Sequence, residues 1–290
     1  MRRSFRPLAA AAAVVATIAL SACSGSSSSE STESAEGSAT GTQMQTITEG
    51  KLTFATSEPC YSPWMLDNDP TSGEGYESAV AYAVAEKLGY AKEDVVWVRA
   101  TFDSSIAPGA KDWDLNMQQF SITDERKQAV DFSSPYYTTS QAIIASPDSP
   151  AVGATSIEDL KDVLVGVQSG TTSQQFVSST LEKGLTQAPQ LYNSSDDTVA
   201  ALKSGQVDAI VVDLPTAFNM IATQIDNGVI VGQFADATDG DSYGIVLPKG
   251  SSLTEAVTKA VDELREDGTL DQLQAKWLTI TDGKEIPVLD

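Results

Sequence analysis

Arg126 closes the run Ser121-Ile122-Thr123-Asp124-Glu125-Arg126, which leads into Val130-Asp131-Phe132-Ser133 and then Pro135-Tyr136-Tyr137. A guanidinium makes two parallel hydrogen bonds to a carboxylate, which the ammonium of lysine cannot do. The run therefore sets a carboxylate-binding fork a short, fixed distance past the hydroxyl of Ser121. Taken alone, Asp124-Glu125-Arg126 reads more simply as surface charge at a polar helix start. What surrounds it decides between the two.

Composition removes several chemistries. The chain has no histidine, and so lacks the commonest general base, the commonest zinc ligand and any serine–histidine triad. Its two cysteines are Cys23 and Cys60. Cys60 has no imidazole to activate it as a nucleophile. With Cys23 engaged by the N-terminal signal, no intrachain disulfide is expected. Eighteen Lys+Arg stand against 40 Asp+Glu, a net charge of −22. Such a surface repels nucleic acid and anionic head groups, so no nucleic-acid partner is expected. The acidity is read as solubility outside the cell and says nothing about a cationic ligand. No catalytic residue, cofactor or metal is expected.

The N-terminus gives an address. Arg2, Arg3 and Arg6 precede an alanine-rich apolar stretch, Leu8 to Leu20, that is short for a membrane span. Leu20-Ser21-Ala22-Cys23 resembles a lipobox, in which Cys23 is diacylated and becomes the mature N-terminus. A plain cleaved signal with an incidental cysteine is the alternative. Residues 24–47 are rich in Ser, Thr, Gly, Ala and Glu and cannot bury enough apolar surface to fold. They read as a flexible tether after the 1–23 signal.

The remainder alternates short apolar runs with amphipathic stretches, which indicates an α/β body. Strands are expected at Leu52–Ala55, Val95–Val98 and Asp114–Gln118, with a helix over Glu77–Leu88 ended by Gly89. A second set opens with Ser156 and Asp159 in a capping-box-like start. Strands follow at Val163–Val167, Ala209–Val212, Val229–Val231 and Tyr243–Leu247. Helices are expected at Ser173–Lys183, Asp196–Lys203, Pro215–Gln224, Leu253–Glu266 and Leu270–Leu278.

The segment 121–137, together with 165–172, 205–213 and 262–278, resembles the family 3 extracellular solute-binding proteins, amino-acid receptors of ABC importers. The resemblance implies a two-lobed periplasmic-binding-protein type II fold, two α/β lobes joined by a two-strand hinge. Lobe 1 would be 48–141 with 242–290 and lobe 2 142–241, with crossovers near Ser140 and near 240–243. It also implies a site. Arg126 would grip the α-carboxylate of an amino acid, with Ser121 adding its hydroxyl and N–H. Thr171 and Thr172 would offer free N–H groups at a helix start, and Asp213 would receive the α-ammonium. Tyr61 and Phe102 would sandwich the ligand.

Each residue has a plainer reading. Asp213 could N-cap the helix after it, Gly170-Thr171-Thr172 is a common strand-to-helix turn, and Phe102 and Trp64 could be core. The chain departs from the family where side-chain specificity is set. Gln118 and Gln119 replace the usual small residues, and 108–113 is shortened. An amide reaching into the pocket suggests a polar ligand side chain, or the glutamines tie the lobe together. Glu77, where the family commonly has aspartate, reads as structural.

The resemblance thus implies a monomeric, lipid-anchored receptor on the extracellular face of the cell membrane or in a periplasm. It would bind a free amino acid, hand it to an ABC permease, and touch the bilayer through Cys23. Two rivals share the scaffold: a cyclohexadienyl-dehydratase-like lyase, for which only Glu58 and Glu77 could be nominated, and a ligand-binding sensory module.

Overall fold

A computed structural model describes residues 44–235, 241–278 and 286–290. The expected signal peptide, lipidated Cys23, residues 24–43 of the tether and the crossover residue Gly240 lie outside the described residues. Residues 44–47, assigned above to the tether, are attached to the body: the Ile47 N–H donates to Asp114 Oδ1 at 2.8 Å.

Strand β1 (Leu52–Thr56) is buried along its whole length, as a strand covered on both faces must be. Helix α1 (Tyr76–Lys87) lays Val80, Val84 and Ala81 on it. Strand β2 (Val95–Arg99) pairs parallel with β1. Helix α2 (Phe102–Ile106) starts at Thr101, whose side chain accepts from the Ser104 N–H. Strand β3 (Leu115–Asn116) pairs with the other side of β1 and is shorter than the expected 114–118. The four residues of α3 (Arg126–Ala129) then lead into β4 (Val130–Thr139).

One residue later β5 (Gln141–Ala145) opens a second sheet. Its side chains alternate: Ile143 and Ala145 enter one apolar cluster, Ala142 and Ile144 the opposite one, as the two-residue period of a strand requires. The sheet continues through β6 (Val165–Gln168), α4 (Thr172–Phe176), β7 (Gln190–Tyr192), α5 (Ser195–Lys203), β8 (Ala209–Asp213), α6 (Leu214–Thr223) and β9 (Val229–Phe234). Strand β10 (Asp241–Pro248) returns to the first sheet, pairing antiparallel with β4 and β3. Helices α7 (Thr254–Glu266) and α8 (Thr269–Trp277) pack beside α1. The first sheet runs β2-β1-β3-β10-β4, and the second runs β9-β5-β8-β6-β7 with a last short strand, β11 (Val288–Leu289), beside β9.

The structure corrects several expectations. Ser156 and Asp159 start only a 3-10 turn, Glu158–Leu160. There the Asp159 carboxylate gathers the N–H groups of Thr155 and Ser156. The helix expected over 173–183 divides into α4 and a π turn, Val177–Leu181. Lobe 1 was expected to hold all of 242–290, but its end does not stay there. Strand β11 (Val288–Leu289) pairs parallel with β9 in the second sheet. Leu289 is 0% exposed in the second core, and Gly232 admits it, since a Cβ there would lie 2.7 Å from Leu289 Cγ.

That seating generates a prediction. Leu289→Ala should lower unfolding free energy by about 2–5 kcal/mol in urea titration. A change below 0.5 kcal/mol would mean that β11 does not hold its place.

Candidate functional site

Between the two sheets lies a cleft of about 590 Å³. All eight residues expected to hold a ligand line it: Tyr61, Phe102, Gln119, Ser121 and Arg126 from the first sheet's side, and Thr171, Thr172 and Asp213 from the second's.

Arg126 is positioned by its neighbours. The Arg126 N–H donates to Thr123 Oγ1 at 3.1 Å, which fixes the start of α3. Upstream, residues 120–122 are held by β10. Gly244 N–H donates to Phe120 O, Ile122 N–H donates to Ser242 O, and Ser121 bridges to Tyr243. Gly244 is needed for this approach, because a Cβ would sit 2.8 Å from Ile122 Cδ1. Arg126 as a whole is only 7% exposed. Its Nη1 donates to Ser121 O at 2.8 Å and its Nη2 to Gly170 O, on the opposite side of the cleft, at 3.0 Å. It lies over the Phe102 ring at 5.3 Å, and Phe102 stacks on Phe120 at 4.8 Å. Burial pulls its pKa down and Asp241 and Asp213 push it back up. Arginine's high intrinsic pKa keeps it a cation.

On the opposite wall the Thr171 side chain caps α4. Its Oγ1 accepts from Gln174 N–H at 3.1 Å and donates to Gln168 O at 2.7 Å. The turn reading thus accounts for its hydroxyl. Thr172 Oγ1 lies 3.1 Å from Ser121 Oγ, across the cleft. Asp213 occupies the N-cap position of α6, but its side chain makes no capping bond. Instead Gln141 Nε2 donates to Asp213 Oδ1 and to Asp241 Oδ2, both at 2.6 Å. Gln141 and Asp213 face each other in register on β5 and β8. Burial raises the Asp213 pKa to about 7, with Asp241 adding to the rise and Tyr243, Gln141 and Arg126 opposing it.

The aromatic and amide positions resolve differently from one another. The Tyr61 hydroxyl donates to Asp196 Oδ2 at 2.6 Å, a third direct link across the cleft. Burial and that carboxylate push the phenol's pKa well up. Trp64 is 2% exposed and packs edge-on against Tyr76, Tyr137 and Tyr243, so its part is mainly core. Gln119 has φ +52 and is turned inward. Its N–H donates to Glu77 Oε1 at 2.7 Å, and its amide donates to Glu77 Oε2. Glu77, 0% exposed, also accepts from the Tyr136 hydroxyl, and burial raises its pKa to about 7. Of the two open readings, Gln119 takes the one that ties the lobe together.

Sequence reasoning missed Asp196, because an acid in a helix's first turn is ordinary helix chemistry. It also missed that Glu58 is engaged, its Oε2 3.0 Å from Arg99 Nε and its Oε1 accepting from Asn68 Nδ2 at 2.6 Å. No run of residues announces either contact.

Comparison with known proteins supplies the last observations. The model of the bacterial extracellular solute-binding proteins, family 3, matches residues 52–280. The chain is 32% identical over 212 residues to an arginine-binding extracellular protein of Bacillus subtilis (strain 168), covering 71% of this chain and 78% of that one. An ancestral arginine-binding protein bound to glutamine superposes with a TM-score of 0.65 at 33% identity, over 79% of this chain and 98% of that one. An ancestral amino-acid-binding protein, a precursor of cyclohexadienyl dehydratase, gives 0.62 at 30%, over 79% and 95%. Among the described residues no helix is long and apolar enough to cross a membrane.

Glu77 and Asp213 keep protons in the folded chain up to about pH 7, whereas unfolded carboxyls release them near 4.5 and 3.8. Folding therefore takes up protons in that window, and the stability these groups contribute falls as pH rises through it. Between pH 5 and 8 the melting temperature of the ligand-free protein should drop further than that of a Glu77→Gln, Asp213→Asn double variant. Parallel curves would mean that neither carboxyl is shifted.

Proposed function

Since the chain belongs to family 3 of the bacterial extracellular solute-binding proteins, we propose that its cleft binds one free amino acid and delivers it to an ABC permease. One observation carries the reading: a buried guanidinium and a carboxyl enter the same cleft from opposite sheets. A zwitterion leaving water needs both charges met, or desolvation costs several kcal/mol.

In this reading Arg126 takes the α-carboxylate with the N–H groups not spent on Ser121 O and Gly170 O. Ser121 and the N–H of Thr172 at the start of α4 complete that end. Asp213 takes the α-ammonium. Phe102, lying beneath the guanidinium, and Tyr61 cover the α-carbon and side chain. The ligand is an amino acid with a polar side chain, consistent with relatives that bind arginine or hold glutamine.

Closure follows from geometry. Arg126–Gly170, Ser121–Thr172 and Tyr61–Asp196 each join the two sides directly. A ligand that adds bonds to both sides favours this closed arrangement over an open one. Hydrogen bonds to charged groups contribute about 1.5–3 kcal/mol each. Two such ends plus aromatic burial support binding of about micromolar strength, near −8 kcal/mol, after closure and immobilisation costs. Diacylated Cys23 and the 24–43 segment would hold the receptor at the outer membrane surface.

The lyase reading is weaker on geometry. Catalysis needs a positioned acid or base, and Glu77 is enclosed by Gln119 and Tyr136 while Glu58 is tied to Arg99 and Asn68.

Three measurements check the proposal. Isothermal titration with the twenty amino acids should find a ligand for the wild type and none for Arg126→Ala, while Arg126→Lys should lose at least tenfold by forfeiting the fork. Unchanged affinity in either variant rejects the carboxylate assignment. Because the ligand ammonium requires ionised Asp213, affinity should rise between pH 6 and pH 8 with proton release, seen as buffer-dependent heats. Asp213→Asn should weaken binding at least tenfold at pH 8 and flatten that dependence. Cys23→Ala should move the protein out of the membrane fraction, and continued retention there would count against the anchor.

A further inference from the structure

A second arginine, Arg99, lines the cleft, but its bonds go to its own loop. It ends β2 and pairs in register with Thr56, so it stands where the chain leaves β1. All three guanidinium nitrogens bond to residues 57–68. Nε lies 3.0 Å from Glu58 Oε2, Nη1 donates to Ser57 O and to Asn68 Oδ1 at 3.1 Å, and Nη2 donates to Asn68 O at 2.8 Å. Asn68 closes the circuit: its Nδ2 donates to Glu58 Oε1 at 2.6 Å, and its Oδ1 accepts from the Cys60 N–H at 2.9 Å. Asp67 and Asn68 have φ of 52 and 55, the left-handed region that non-glycine residues occupy at a cost. Such a backbone persists only where its surroundings fix it, and the fork of Arg99 on both oxygens of Asn68 does so. The clamp reaches Tyr61 from both sides. The Cys60 N–H before it is bonded to Asn68, and the Tyr61 carbonyl accepts from the N–H groups of Trp64 and Met65 at 3.0 and 2.9 Å. The phenol is thereby aimed at Asp196, in the first turn of α5 across the cleft.

We propose that Arg99 is a positioning residue for ligand capture: it holds the 57–68 loop in the shape that carries the Tyr61 hydroxyl to Asp196, and that bond fastens the closed cleft without reading the ligand. Of the three contacts that join the two sides, Arg126–Gly170 and Ser121–Thr172 draw on groups assigned to the ligand's carboxylate end. Tyr61–Asp196 spends no group assigned to either charged end of the ligand. Its contribution to the closed arrangement is therefore the same whichever amino acid is inside. A closed cleft must break this bond before its ligand leaves, so the contact acts on release more than on capture. Arg99 makes no bond across the cleft itself and works entirely through the loop it organises.

This inference rests on the amino-acid reading above, and its test separates the two. Dissociation constants for each of the twenty amino acids are measured by calorimetry on the full chain. Release rates of those that bind follow from stopped-flow tryptophan fluorescence, with circular dichroism as a check on folding. Tyr61→Phe keeps the ring, and it and Asp196→Ala should each weaken every bound amino acid by one common factor. That factor is about three- to tenfold, the size of one partly exposed hydrogen bond, and comes mainly from faster release. Arg99→Ala should weaken binding at least as much, and adding Asp196→Ala to it should cost less than about twofold more, because the two act through one contact. Asn68→Gly tolerates the left-handed backbone while removing the clamp's amide, and should abolish the cost of Asp196→Ala in the same way. In Arg126→Lys, by contrast, Asp196→Ala should keep its full cost, which a general loosening of the fold would not produce. If Asp196→Ala costs its full factor beside Arg99→Ala and Asn68→Gly, Arg99 does not act through Tyr61. If Tyr61→Phe changes no affinity, or Asp196→Ala weakens only cationic ligands, the contact is no latch. In each of these cases the receptor reading stands; if the wild type binds none of the twenty, both fall.

Discussion

A cation almost sealed from water, with no carboxylate bonded to it among the described residues, is the constraint on which the rest of the structure depends. The guanidinium of Arg126 is buried against Phe102, and its direct protein partners are two carbonyl oxygens, one from each side of the cleft. Carbonyl dipoles solvate part of the charge and do not neutralise it. Asp213 and Asp241 act on it only through their fields. Much of the surrounding architecture keeps that charge in place: Thr123 sets the start of α3, β10 clamps 120–122, and glycine at 244 lets the segment lie close. A ligand carboxylate is the missing partner, which is why binding and closure are one event in this reading.

The opposing charge is tied to the hinge. Gln141 opens β5, Asp241 opens β10, and these are the strands on which the chain leaves and re-enters the first sheet. One amide nitrogen bonded to both Asp213 and Asp241 holds two carboxyls close together. Their mutual repulsion, added to burial, is why Asp213 holds its proton toward neutral pH. In the proposed reading an ammonium arriving there would relieve the repulsion beside the crossing strands. The return of β11 to the second sheet adds a third link between the halves, so closure occurs within a frame tied at more places than the two crossovers.

Legibility in the sequence followed the range of each interaction. The helix at 77–88 and the strand at 52–55 were readable because local periodicity records which face is buried. That Ser121, Arg126 and Asp213 would line one cleft was readable because 121–126 and 208–213 are contiguous runs whose neighbours fix them in the chain. Tyr61–Asp196 was not readable, since its partners are 135 positions apart and each is ordinary in its own context. The return of β11 was hidden for the same reason: two apolar residues near the end carry no period, and only Gly232 on another strand makes room for them. The adjacent glutamines were ambiguous because both are amides on one short segment. Their roles separated only when the left-handed backbone at 119 turned one amide toward Glu77 and left the other at the cleft.

Some of the unmatched polar groups belong to residues of the cleft wall. Among the described residues Trp64 Nε1, Gln118 Oε1, Gln141 Oε1 and Trp277 Nε1 are buried side-chain polar atoms that lack partners, while the Tyr243 hydroxyl is engaged by Asp213. Trp64 and Gln118 line the cleft, and Gln141 sits on a crossing strand. A fold optimised only for stability would satisfy such atoms or replace them with apolar ones. Gln141 is bonded to both Asp213 and Asp241, whereas Trp277 is on α8 and does not line the cleft. In the proposed reading a bound zwitterion would meet both charges, and the free energy recovered there would tip the two halves toward closure.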